Sequence, residues 1–271
     1  MEKTPFSPMS MYGINDPPFT HLLKEWKEVT YSKVKHEYSS KTELIEMILN
    51  LDYAIASPYM VVTLNPNMGK LPRRSEILIS AYHRNWFALS ASYELTSSGL
   101  FGPARSILRH AFESMIIAKF CSLSKDDKVY ERWQNGETVY FTNSVLKKIS
   151  TPDTKTFSEF WGVLSNYVHA TIYAQQFSLD WEHVDKEAHF NLDLILVLLE
   201  WHYHILASHI ITPTTNSQTT YNVGLFENDK LANWRQAKKD LRVAFKNAKK
   251  DMPDFMKKAV RDFKQAWVLN E

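Results

Sequence analysis

Apolar positions recur with helical period along most of this chain. Leu44, Ile45, Ile48, Leu51, Tyr53 and Ile55 form one wide face, and Pro58 is expected to end that helix. The segment before it, from about Thr20 to Tyr38, is helical in pattern but polar. Residues 59–74, YMVVTLNPNMGKLPRR, read as a loop, because a lone strand over Tyr59 to Leu64 has no partner. Tyr82, Trp86, Leu89 and Tyr93 then step by four, three and four along a helix over residues 75–97. Ala81, Ala88, Ser90, Ala91 and Ser92 keep its other surfaces small. Gly99 is a natural stop and Pro103 suits the first turn of the next helix. Residues 75–97 and 103–121 are therefore expected to form a helical hairpin.

Further helices are predicted from about Lys125 to Ile149, over 155–177 and over 185–211, followed by a polar loop, TPTTNSQTTYNVG, from Thr212. A charged amphipathic stretch over 229–269 closes the chain, interrupted by Pro253. Residues 1–17 are proline-rich without a period and are read as an extended arm. The division is thus an arm over 1–17, a helical bundle over 18–211, a loop over 212–228 and basic amphipathic helices over 229–271. The expected fold is all-α, an antiparallel bundle with a C-terminal helix pair.

Composition sharpens this picture. Only 7 glycines and 44% apolar residues speak against an all-β fold and against a phosphate-cradling α/β fold. A formal net charge of +2 gives no global field to recruit nucleic acid, though a local basic patch is allowed. Trp234 with Arg235, Lys238, Lys239 and Arg242 could supply one, within a run of basic positions that continues through Lys246, Lys249 and Lys250 and that also reads as a solvated helix face. The single cysteine, Cys121, forms no internal disulfide and fits a cytoplasmic location. The greasiest run, residues 192–211, contains Asp193, Glu200 and three histidines, which favours a buried helix over a membrane span. The histidine spacing gives no zinc pair, so neither a metal nor a cofactor is expected.

The chemistry concentrates in GPARSILRHAFESMIIAKFCS, residues 102–122. This helix is apolar nearly all round, yet carries Arg105, Arg109 and Glu113. Setting Arg105 at zero puts Arg109 at about 40° and Glu113 at about 80°, a stripe bordered by Phe112, Ile116 and Phe120. Arg109 and Glu113 are one turn apart and can pair. They are read either as a salt bridge that fixes bundle packing or as the lining of a cleft. His169, at the margin of the next helix's buried arc, is a border residue or a partner for Glu113.

Two resemblances bear on function. Arg105 to His110 reads Arg-x4-His, which resembles the Arg-x4–6-His signature of the HEPN superfamily of helical, nucleic-acid-associated proteins and ribonuclease toxins. That resemblance implies a homodimer in which Arg105 holds a scissile phosphate of RNA and His110 transfers protons. On a single helix the two lie about 140° apart, so they converge only across an interface. The order Ala104, Ile107, Leu108, Arg109, Glu113, then Leu164, Ser165, Tyr167 and His169, is similar to the uncharacterised bacterial helical family DUF5677 over roughly residues 75–210. It implies an Arg/Glu/His cluster on facing helices. The expected function is a HEPN-like protein that binds or cleaves RNA without a metal, in a bacterial toxin or phage-defence setting, through Arg105, Arg109, His110, Glu113 and His169. The alternative is a non-catalytic helical scaffold in which the Arg/Glu pair is structural.

Overall fold

The computed structural model describes residues 19–64, 73–124, 127–149, 153–166, 181–207, 228–250 and 252–265. The architecture is all-α, with no strand among the described residues. Helix α1 spans Phe19–Glu37, α2 Ser39–Leu64, α3 Arg73–Ser97 and α4 Phe101–Leu123. A short α5, Lys128–Gln134, is followed by a π turn at Phe141–Val145 and a 3-10 turn at Leu146–Lys148. Then come α6 Asp153–Asn166, α7 Trp181–Ala207, α8 Asn228–Ala248 and α9 Asp254–Gln265. None of the described helices is long and apolar enough to cross a membrane.

The expected hairpin is the α3–α4 pair, the most extensive contact in the bundle. Its turn is a Schellman motif: the Leu100 N–H reaches the Leu95 carbonyl at 2.8 Å and the Gly99 N–H that of Thr96 at 3.0 Å. Glycine is required at position 99 twice over. Its φ is +77°, and a Cβ there would sit 2.9 Å from Thr30 Cγ2 and 3.1 Å from Trp26 Nε1 on α1. The small face of α3 does what its composition suggests. Ser92 Oγ lies 3.3 Å from the Ala104 carbonyl of α4, a separation that a larger residue would prevent.

Two boundaries differ from expectation. Helix α2 does not end at Pro58 but continues to Leu64. A proline inside a helix removes one backbone hydrogen bond without forbidding the next turn, and an isolated strand at 59–64 would have left more groups unpaired. The helix expected up to Ile149 stops at Gln134. There a second Schellman turn closes the helix, with Gly136 at φ +73°, Glu137 N–H on the Arg132 carbonyl at 2.8 Å and Gly136 N–H on that of Trp133 at 3.2 Å. The break at Pro253 occurs as expected, between α8 and α9. The 1–17 arm, the loop over 212–227 and the proposed extension of α6 to 177 lie outside the described residues.

Helix α7 is the hub. It packs on α3, α4, α2 and α9, while α8 lies on α2, and α6 on α4 and α9. Every residue from Asn191 to Tyr203 is buried, which explains why this segment is apolar on all sides. At its centre Trp201 is 0% exposed and gathers Phe160, Phe112 and Phe157 at ring-centroid distances of 4.8, 5.4 and 5.8 Å. Aromatic side chains in such clusters supply much of a core's stabilisation. Trp201→Ala is expected to lower the unfolding free energy by about 3–5 kcal/mol. Phe87→Ser, at a residue 62% exposed, is expected to leave it nearly unchanged. Urea unfolding of the two variants checks this contrast.

Candidate functional site

Helix α4 places its three charges in different environments. Arg105 is 1% exposed. Its Nε donates to Asn191 Oδ1 at 2.6 Å and its Nη2 pairs with the Glu187 carboxylate, both on α7. The guanidinium also lies 5.2 Å from the centre of the Phe190 ring. Asn191 is itself anchored, its Nδ2 donating to the Phe101 carbonyl at 3.3 Å. Arg105 therefore fastens α4 to α7, with its charge answered inside the protein as burial demands.

Arg109 and Glu113 form the expected one-turn pair, Nε to Oε1 at 2.9 Å, with side chains 19% and 24% exposed. Trp161 on α6 completes it. The indole Nε1 donates to the same Glu113 oxygen at 2.7 Å, and the Arg109 guanidinium lies 5.1 Å from the Trp161 ring. Arg105 is fully buried, whereas Arg109 is partly open to solvent. His110 is exposed on the outer side of α4. Arg105 and His110 thus point apart within one chain, as the helical wheel requires. His169 and Tyr167 lie outside the described residues, and the Glu113 carboxylate meets Trp161 where a histidine was considered.

Sequence reasoning passed over a second set of polar groups, all on α7. His202, 1% exposed, has Asp52 Oδ2 of α2 2.6 Å from Nδ1 and the Tyr82 carbonyl of α3 2.9 Å from Nε2. The ring thus ties α7 to α2 through one nitrogen and to α3 through the other. The Tyr82 ring stacks on it at 4.0 Å, and the Tyr82 hydroxyl donates to the Asp52 carbonyl at 2.7 Å. Glu200, also buried, takes Lys249 at 2.5 Å. Asp193 takes Lys41 at 2.6 Å and His189 at 3.3 Å. The signal was present as isolated polar residues in a greasy run. Their partners, however, lie elsewhere in the chain. Among the described residues no group of three His, Cys, Asp or Glu side chains gathers as a metal site.

These environments give separable outcomes. Arg105→Ala strands Glu187 and Asn191 and is expected to cost about 3–5 kcal/mol in urea unfolding, whereas Arg105→Met with Glu187→Leu recovers most of that loss. Arg109→Ala, at a more solvated pair, is expected to cost about 1 kcal/mol or less.

A further prediction concerns Lys119, buried near the end of α4, whose ammonium is pulled down by burial to about 8 from 10.5. Between those values the unfolded chain holds a proton that the folded chain has released, so stability rises with pH across that window. Lys119→Met is expected to melt higher than the parent at pH 7, and the difference to shrink as pH approaches 10. A pH series of thermal melts checks both signs.

No family model, no curated protein and no solved structure matches this chain.

Proposed function

We propose that this chain is a non-catalytic helical interaction scaffold, in which the charges of α4 hold the bundle together and partners are met at the outer surface. The burial of Arg105 against Glu187 and Asn191 carries this reading. A ribonuclease site built on Arg105 would need its guanidinium at a phosphate. Withdrawing it would leave an acidic partner unpaired at a cost of about 3–5 kcal/mol, before any substrate contact is made. A cytoplasmic location belongs to the same proposal.

One observation favours a second reading, a HEPN-like or DUF5677-like protein that cleaves RNA as a homodimer in toxin or phage-defence work. His110 is exposed beside the partly open Arg109, so a second copy could bring another basic group to it. In that reading Arg109, not Arg105, is the phosphate-binding residue, and Glu113 orients it.

Incubation of the purified chain with total RNA, over a concentration range that spans dimer formation, separates the two. The scaffold reading expects no cleavage at any concentration. Cleavage that disappears in His110→Ala, with an unchanged melting temperature, would overturn it in favour of the second.

A further inference from the structure

Helix α8 has two faces of opposite character. Leu241, Ala244, Phe245 and Ala248 are buried, and α8 lies on α2. On the opposite side Arg235, Lys239, Arg242 and Lys246 are all exposed. Their spacing of four, three and four residues confines them to an arc of about 60° on the helix. Lys250, exposed in the turn just beyond α8, extends the row. None of these five forms an ion pair with an acid among the described residues. Asp240 is off the row and takes a hydrogen bond from Gln236 at 2.8 Å.

Among the described residues, such a row is electrostatically uncompensated. Cations one turn apart stand about 5–6 Å from each other and destabilise their own helix. That separation is inside a Debye length of about 8 Å at physiological salt, so the charges act as one field. The effect is visible at Lys238, which flanks the row: burial and then the Arg242 charge lower its affinity for a proton. A linear polyanion laid along the row would relieve the repulsion and release its own counterions.

The surroundings narrow the choice of polyanion. The described apolar face of α8, Leu241 to Ala248, is already used against α2, so none of it remains to enter a bilayer as membrane-surface helices require. Among the side chains described from Arg235 to Ala248, Val243 is the only large apolar one exposed, and no exposed aromatic anchor of the kind that dominates protein interfaces accompanies it there. A duplex presents two phosphate strands, one on each side of a groove, and would call for cations on both flanks of the helix. One flank here is Gln236, Asp240, Val243 and Asn247, which offers none. A single row fits a single strand.

We infer that the outer face of α8, through Arg235, Lys239, Arg242, Lys246 and Lys250, binds the phosphate backbone of single-stranded nucleic acid without sequence preference. This deepens the scaffold reading by naming its partner, and the two fail separately. RNA cleavage would overturn the scaffold reading and leave the row untouched, while binding that ignores the row would overturn only this inference.

The test is fluorescence anisotropy of a labelled oligouridylate about 20 nucleotides long with the full chain, as a function of salt. Five engaged phosphates give a slope of log K on log salt of about −3.5, or about a 130-fold loss between 50 and 200 mM. Lys239→Gln with Lys246→Gln should weaken binding at least about tenfold at 50 mM and flatten the slope by about 1.4. Its melting temperature should stay at or above that of the parent. Lys24→Gln with Lys155→Gln, at exposed lysines of α1 and α6 paired within their own helices, should leave binding unchanged. Equal loss in both double variants would overturn the assignment. So would tighter binding of a duplex of the same length, or binding of polyglutamate or phosphatidylserine vesicles without binding of the oligonucleotide.

Discussion

A helix buried on every side must find a partner for each polar group it carries, and α7 meets that requirement by reaching to the elements around it. Asn191 holds Arg105 of α4, Asp193 holds Lys41 of α2, Glu200 holds Lys249 just past α8, and His202 bridges Asp52 of α2 and the Tyr82 carbonyl of α3. The apolar contacts around Trp201 supply most of the cohesion but would tolerate small slips of one helix on another. The polar ties do not, because a shift that broke one would leave a charge in the core at a cost of several kcal/mol. Their net contribution to stability is small, since desolvation offsets most of the attraction. What they set is the register in which four other elements meet α7.

This constraint bears directly on function. A guanidinium that is 1% exposed and already held by a carboxylate and an amide is occupied, however closely its sequence spacing resembles a nuclease signature. The side chains left to meet other molecules are those turned outward, and among them α8 carries a row of exposed cations. The interior of the bundle thus uses its charges for assembly, while the outer face of α8 presents cations that pair with no acid among the described residues.

How far the sequence reported this depended on the range of each interaction. The Arg109–Glu113 pair was legible because both partners lie on one helix, one turn apart. The hairpin turn was legible because Gly99 and Pro103 act locally, and so was the break at Pro253. Arg105 was not, because its amide partner Asn191 is 86 residues away and nothing local distinguishes it from Arg109. Asp52 and His202, 150 residues apart, were hidden for the same reason. The stop at Gly136 was a local signal, weakened by the helical pattern on either side of it. Pro58 was over-read, since a proline disfavours helix without excluding it once flanking turns are formed. The row on α8 was visible as basic residues, but only the burial of the opposite face separates a free cationic surface from an ordinary solvated one.

The claim that polar ties on α7 set the packing of the bundle is tested most directly by a double-mutant cycle on the tie that joins the most elements. Asp52→Ala, His202→Ala and the double variant would be compared with the parent by urea unfolding. The account predicts a coupling free energy of roughly 1–3 kcal/mol between the two sites. Losses that add to within about 0.5 kcal/mol would contradict it, leaving the aromatic core as the sole determinant of how these helices meet.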